Sequence, residues 1–533
     1  MRKLFLISIV FISSFSFAES ISVGGKWRGL NNKETNSIGI GDMEAQDLLN
    51  VEITKNGNSL VKRGRWTVQQ NLFSTSTHSV NGIYRFERVL DGRYVGILAY
   101  DTNITAATTD DTSFGNGAVV TTDTADSFYD FADNAGYMYR ANSSHDQILK
   151  YDGATTVTYY PLIPRGDQIE FLPDRFVVSG STSSPATVYF SGSADFTNFT
   201  AGSLETDPFT EQFGISGNKV YAIKYFCEKL FVFTKNNVYS WQGTNQYDGF
   251  IKIEFPEIGT QQPQTLVTRD NIMYFQGSDR QVYSYDCNTL SRISDNFQGL
   301  TLGVTPDLTG YQRHGATIDA SGRYWLGVLD SAPNATSYLL GGLVTSSATF
   351  VYDPKFDFWT KFDFASHVYF SPARGNSALD FVYFGGVSTA TINNYVDTRE
   401  FQNHLASLSA LNDNLCPSSC STAINAYWKS KDFIGSDPFV EKDFINYSIV
   451  ASSSSGSNLD FIYTINTSTS ITANHSLTAD VSNSTLRRIN ANFPSGKFGT
   501  FFNFRIGNDD LNAPFEIYAV KVEYKPRSWR VLP

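Results

Sequence analysis

The residues able to do chemistry are few, and their spacing assembles little. Six histidines, His78, His145, His314, His367, His404 and His475, include no pair at the H-x-x-x-H spacing that sets two imidazoles on one helix face for zinc. Four cysteines fall into two pairs. Cys416 and Cys420 stand in Cys-Pro-Ser-Ser-Cys within a polar loop, and in an oxidising compartment they can close a small disulfide ring. A zinc site there would want further ligands, and only His404 is near. Cys227 and Cys287 sit at related places in neighbouring repeats and read as two isolated buried thiols. Glycoside hydrolysis needs two carboxylates converging across a cleft. The acid pairs Asp110-Asp111 and Asp509-Asp510 read instead as solvated turn residues. No G-x-S-x-G elbow, phosphate-binding loop or dinucleotide fingerprint occurs. The expectation is a protein that is not an enzyme, without catalytic, cofactor-binding or metal-binding residues, and with Cys416 and Cys420 as its candidate disulfide.

One turn has a chemical look. Asp319-Ala320-Ser321-Gly322-Arg323-Tyr324-Trp325 distantly resembles the turn repeats of sialidases. It occurs once and lacks the order those turns need, so it reads as an ordinary β-turn. Asn103, Asn334, Asn466 and Asn483 open Asn-x-Ser/Thr triplets, which arise by chance in a chain this rich in Asn, Ser and Thr.

The elements that would position these residues are strands. Leu230-Phe231-Val232-Phe233, a polar turn and Val238-Tyr239-Ser240-Trp241 form one paired unit; Ile272-Met273-Tyr274-Phe275, a polar turn and Val282-Tyr283-Ser284-Tyr285 form a second, 44 residues on. The aromatic-ended strand recurs at Tyr100, Tyr151, Phe190, Trp241, Tyr285, Tyr352 and Tyr395, with intervals of 39–51 residues except one of 67. A polar stretch around Gly303 to Gly315 reads as the insertion that lengthens that interval. A period of about 40–50 residues matches one blade of a β-propeller. Each small sheet has two apolar faces, and stacking around an axis covers both. The count is six or seven blades over 71–400.

Composition agrees. The chain has 533 residues, 15% aromatic and only 17% charged. Aromatic and β-branched residues suit pleated, half-buried surfaces, and sustained 3.6-residue apolar periods are almost absent, so the fold is expected to be all-β. Met43 to Leu49 is the best short helical turn. Residues 401–423 read as a linker. Residues 424–533 hold five or more period-two strands with turn signals between them, the pattern of a C-terminal β-sandwich.

Residues 1–18 read as a signal-peptide-like segment: Arg2-Lys3, an apolar run from Leu4 to Phe17, and Ser16-Phe17-Ala18 before Glu19. Leu4 to Phe17 is too short to span a bilayer comfortably, so no membrane span is expected in the mature chain. The formal charge is −11 from 41 Lys and Arg against 52 Asp and Glu, and −13 without residues 1–18, which carry two cations. Such a chain does not suit broad phosphate-neutralising contact with nucleic acid. It does suit a wall that nucleic acid slides past, since like charge repels.

Three stretches carry a family resemblance. Residues 19–70, a strap leading into the propeller, contain Gly29-Leu30-Asn31, Ala45, Asp47-Leu48, Asn50-Val51, Leu60, Arg63 and Gly64. Val351-Tyr352-Asp353 runs into Phe358-Trp359-Thr360-Lys361, a pattern that kelch-like propellers share in general look. The end of the chain holds Trp428-Lys429-Ser430-Lys431, Phe502-Asn503-Phe504-Arg505-Ile506 and Ile517-Tyr518-Ala519-Val520-Lys521-Val522-Glu523. In this order they resemble the β-propeller nozzle, hub or packaged-DNA-stabilising proteins of short-tailed bacteriophages. The resemblance implies a structural virion protein. It would form a homo-oligomeric ring, by family a hexamer, below the portal and adaptor, with packaged DNA passing its lumen. Apart from the resemblance, Lys62, Arg63 and Arg65 read by local pattern as a solvated strand edge, the usual fate of a small basic run. The signal-like segment points elsewhere, to an exported propeller in the periplasm or at the cell surface that binds a glycan or protein.

Overall fold

The computed structural model describes residues 18–527 with interruptions, chiefly 32–39, 72–79, 107–117, 296–311, 371–380, 397–411, 415–420 and 477–485. Among the described residues the secondary structure is strand, apart from one 3-10 turn at Pro263–Thr265. Seven four-stranded antiparallel sheets follow one another as propeller blades. Blade 1 comprises Val80–Glu87, Tyr94–Tyr100, Asn103–Ala106 and Ala118–Thr122. Blades 2 to 6 run over 129–160, 168–212, 220–255, 267–292 and 312–362. Blade 7 is made of Tyr369–Phe370, Phe381–Gly385 and Thr391–Val396, and its outer strand, Trp66–Asn71, comes from the other end of the chain. The wheel therefore closes by pairing Thr391 with Asn71 and Tyr395 with Trp66.

The reason the sheets stack is visible in their burial. Leu230, Phe231, Val232 and Phe233 are all fully buried, because alternate residues enter different inter-blade layers. Leu230 and Val232 pack toward blade 3 with Val177, Val188 and Phe190. Phe231 and Phe233 pack toward blade 5 with Met273, Phe275 and Tyr285. Equivalent layers lie between blades 1 and 2 and between blades 2 and 3. Each large apolar side chain buried this way contributes roughly 1.5–3 kcal/mol.

The aromatic-ended strands mark the third strand of every blade except the first, where Tyr100 ends the second strand. The long interval holds an extra hairpin, Tyr338–Leu340 with Leu343–Thr345, inside blade 6. Part of the stretch at 303–315 lies outside the described residues, and Gln312–Ile318 is the inner strand of that blade.

The second module is a β-sandwich. One sheet runs Val51–Ile53, Leu60–Lys62, Glu516–Pro526, Lys442–Ser452, Arg487–Asn492, with Glu19–Gly24 also on Glu516–Pro526. The facing sheet runs Asp47–Leu49, Ala426–Lys429, Phe502–Asn508, Asn458–Ile465, Ile471–Ser476. Asn458–Ile465 alternates buried and half-exposed residues along its length, so Leu459, Phe461 and Tyr463 enter the core. There Phe461 stacks on Tyr447 at 4.4 Å and Phe502 meets Phe444 at 5.2 Å. The helical turn expected over 43–49 does not form. Asp47–Leu49 is a strand paired with Tyr427–Lys429, since edge pairing and burial of Leu48 outweigh a weak local helix preference. Within 401–423, Asn412–Asn414 pairs with Ser421–Ala423.

Candidate functional site

The residues of the N-terminal motif converge on one seam between blade 6 and the sandwich. Leu30 donates its N–H to the Trp359 carbonyl at 2.8 Å, and Asn50 donates its N–H to Lys361 O at 2.8 Å. Gly29 lies so close to blade 6 that a Cβ would stand 2.3 Å from Trp359 O. Ala45 donates its N–H to Gly29 O, and Ala45 O accepts from Asn31, folding the strap on itself. Asp47 takes Lys361 Nζ at 2.7 Å on one oxygen and the Tyr427 hydroxyl at 2.8 Å on the other. Three pieces of chain are thus tied through one carboxylate. Asn50 is held at φ 54°, a left-handed conformation that Asn tolerates, and its side chain reaches Asn425 O.

The basic run is not a solvated edge. Lys62 and Arg63 are buried to 2% and 0% exposure. Lys62 Nζ donates to Asn508 Oδ1 at 2.9 Å and Asp510 O at 3.1 Å. Arg63 donates to Asn50 Oδ1 at 2.8 Å and Asp363 Oδ1 at 3.0 Å. Arg63 is paired with the Asp363 carboxylate, and the Lys62 ammonium is met by an amide oxygen and a backbone carbonyl, so neither buried cation is left without hydrogen-bond acceptors. Gly64 and Arg65 lie outside the described residues. The turn at 319–325 is a hairpin turn of blade 6, closed by Gly322 N to Asp319 O at 3.0 Å. It joins the same seam. Arg323 bridges Asp319 and Glu52 at 2.6 Å each, and Trp325 Nε1 donates to Asp319 Oδ2 at 2.9 Å. Glu52 belongs to the sandwich, so this charged cluster locks wheel to sandwich.

The cysteine pairing differs from the expectation. Cys227 and Cys287 are bonded to each other, with Cα atoms 5.8 Å apart, and are not isolated thiols. Cys227 is in the first hairpin turn of blade 4 and Cys287 in the last turn of blade 5, which open on the same face. Both have positive φ, 50° and 74°, in tight turns that bring them within bridging distance. The signal was their matching places in adjacent repeats. Cys416, Cys420 and His404 lie outside the described residues.

The inner strands bring titratable groups from four blades into the central channel. Tyr84 donates to Asp133, Ile169 N–H to Asp130 Oδ2 at 2.8 Å, and Lys224 Nζ meets Glu170 Oε2 at 2.7 Å. Burial pushes the Asp130 carboxyl up to about 7, with Glu170 adding to the rise, against the Ile169 hydrogen bond and Lys224. Burial and the Asp133 charge raise the Tyr84 hydroxyl well above its usual value. For Lys224 burial lowers the pKa, but Glu170 outweighs it and the ammonium is raised. A cavity of about 170 Å³ opens between Tyr84, Asp130, Gln168, Gln264 and Ala316. No group of three or more His, Cys, Asp or Glu placed to hold a metal ion occurs among the described residues, and no described helix is long and apolar enough to cross a membrane.

No family model and no curated protein matches the chain. Solved structures with a similar arrangement include YCF48 bound to D1 peptide, at 10% identity and TM-score 0.37 over 62% of this chain and 96% of that one. They include BBS1N in complex with ARL6DN, at 10% identity and TM-score 0.36 over 63% and 97%. The AfRom2 CNH domain matches at 8% identity and TM-score 0.35 over 62% and 99%. The propeller assignment stands on the chain's own seven sheets.

Proposed function

We propose that the chain is an architectural subunit of a short phage tail, of the nozzle or hub kind. The observation that carries this reading is the seam. The residues through which the N-terminus resembles those proteins, Gly29, Leu30, Asp47, Asn50 and Arg63 among them, are the ones that fix the sandwich to blade 6. A motif spent on rigidity suits a load-bearing wall. On this reading copies assemble as a ring, a hexamer by resemblance, against portal and adaptor, and the ring retains packaged DNA and releases it at ejection. On this reading the DNA lumen lies between subunits, and the inner strands of each wheel face a space of their own, where a cavity of about 170 Å³ sits beside Tyr84 and Asp130. The acidic balance keeps that wall from gripping phosphate. Negative-stain images of the purified full chain test the reading. Rings with an open centre are expected; a monomer at every concentration tried would overturn it.

The Cys227–Cys287 bond favours a second reading, an exported binding propeller, because disulfides persist in oxidising compartments. Fractionation of expressing cells decides between them. Oxidised protein in the periplasm or medium supports export, and reduced protein confined to the cytoplasm removes that support.

A further inference from the structure

We propose that the Cys227–Cys287 bond is a redox-sensitive latch on the first hairpin turn of blade 4: reducing it frees that turn and leaves the wheel folded. Phe226 pairs with Lys229, so the turn consists of Cys227 and Glu228 alone, and both have positive φ, 50° and 59°. A two-residue hairpin turn of this kind favours Asn, Asp and Gly, which enter the left-handed region at little cost. The wheel supplies its own comparison. The matching turn of blade 2 is Ala135-Gly136, at 51° and 78°, and that of blade 5 is Asp270-Asn271, at 49° and 61°. Each holds at least one residue suited to the conformation. Cys227-Glu228 holds none, and this turn is cross-linked.

The two ends of the bond differ in what else holds them. On the blade 5 side, the Asp286 carboxylate accepts from the N–H groups of Asn288 at 3.1 Å and Thr289 at 2.7 Å, and the Tyr285 hydroxyl donates to Cys287 O at 2.7 Å. On the blade 4 side, Glu228 is exposed, and its side chain makes no hydrogen bond or ion pair with the described residues. Cys287 is therefore the fixed post and Cys227 the held end. Blades 4 and 5 have a contact of their own: Phe231 meets Tyr285 at 5.6 Å and Phe233 meets Phe275 at 5.2 Å, within one buried layer. Both cysteines are half-exposed in surface turns, so a small reductant can reach them.

The step is thiol–disulfide exchange with a dithiol. A thiolate of the dithiol attacks one cysteine sulfur, the S–S bond breaks and a mixed disulfide forms; the second dithiol sulfur then displaces the protein. The dithiol leaves oxidised, and its two electrons and two protons end on Cys227 and Cys287 as thiols. The turn has then lost the tie that holds two side-chain-bearing residues at positive φ, and it relaxes. What moves is a wall. Tyr225 and Glu228 line a cleft of about 500 Å³ between blades 3 and 4, so reduction reshapes the rim of that cleft. This inference goes beyond both readings above and is independent of them: a ring subunit and an exported binder can each carry such a latch.

Hydrogen exchange read by mass spectrometry on the full chain tests it. Oxidised protein is compared with protein reduced by dithiothreitol, and alkylation of both thiols in a parallel sample confirms the reduction. Amides from Phe226 to Leu230 should exchange about tenfold faster or more after reduction, while the turns at 135–136 and 270–271 keep their rates. The Cys227→Ser, Cys287→Ser double variant should match the reduced wild type. Cys227→Asn combined with Glu228→Gly and Cys287→Ser supplies turn residues that adopt positive φ unaided. That triple variant should keep the oxidised rates and ignore reductant. Equal acceleration of all three turns, no acceleration in any of them, or a fast blade 4 turn in the triple variant would each overturn the proposal.

Discussion

Arg323 illustrates how this protein uses buried charge. It is 3% exposed and stands between Asp319 and Glu52, both also buried. Arg323→Met would leave two carboxylates facing each other in a dry seam. Removing one partner from such a cluster costs about 3–5 kcal/mol, so the urea midpoint should fall well below that of the wild type. An unchanged midpoint would contradict the seam as described. Asp130 makes a pH-dependent counterpart. Its folded pKa, pushed up to about 7, lies above the ordinary Asp value of 3.8. The folded state therefore favours the proton. The associated stability is full below about pH 4 and is lost as pH rises to about 7. Asp130→Asn has nothing to ionise. Its urea midpoint relative to wild type should climb between pH 4 and pH 8, and a flat difference would remove Asp130 from the account. None of these pairings was legible in the chain. Lys62 and Arg63 looked like an edge run because Asn508 and Asp363 are hundreds of residues away, and local pattern carries no trace of such partners.

At the level of the strand, much was legible. The aromatic-ended pattern found a strand in every blade; in blade 4 the third strand, Val238–Trp241, is buried on both faces. It slipped by one strand in blade 1, where the second strand, Tyr94–Tyr100, is buried in the same way and ends in the same aromatic. The sandwich strands from 426 on were readable by their alternation. In the strap, the extended stretch after the Gly57 turn was readable and holds the strand Leu60–Lys62, whereas Val51–Ile53 was not, because three residues are too short to show a period. The disulfide joins blades 4 and 5 across a separation of 60 residues. A loop of that length contributes about 4 kcal/mol through the unfolded chain. The Cys227→Ser, Cys287→Ser double variant should lose up to that amount in urea unfolding. Adding reductant should bring the wild type to the same midpoint and leave the variant unmoved. Complete reduction of the wild type without any shift in its midpoint would refute the contribution.

At the scale of the whole molecule, wheel and sandwich share one apolar core. Trp27, Leu48 and Val51 from the strap, Trp428 and Phe504 from the sandwich, and Tyr324, Phe350 and Trp359 from blade 6 belong to the same cluster. Trp27 meets Trp428 edge-on at 5.0 Å. A shared core predicts shared unfolding: calorimetry should give one transition for both modules, and two separated peaks would show them to be independent. Gly29→Ala should broaden or split that transition, since its methyl would strike the Trp359 carbonyl at 2.3 Å and pry the modules apart.

The strand that completes blade 7 also sets a timetable for synthesis. Trp66–Asn71 leaves the ribosome well before its pairing partner, Thr391–Val396, which is made about 320 residues later. At roughly 5–20 residues per second the early strand waits on the order of 16–64 seconds. Glu19–Gly24 waits longer still for Ala519–Tyr524. Throughout that interval the nascent chain carries unpaired strands that any other strand could capture, so its yield in the cell should depend on how well chaperones guard its first seventy residues.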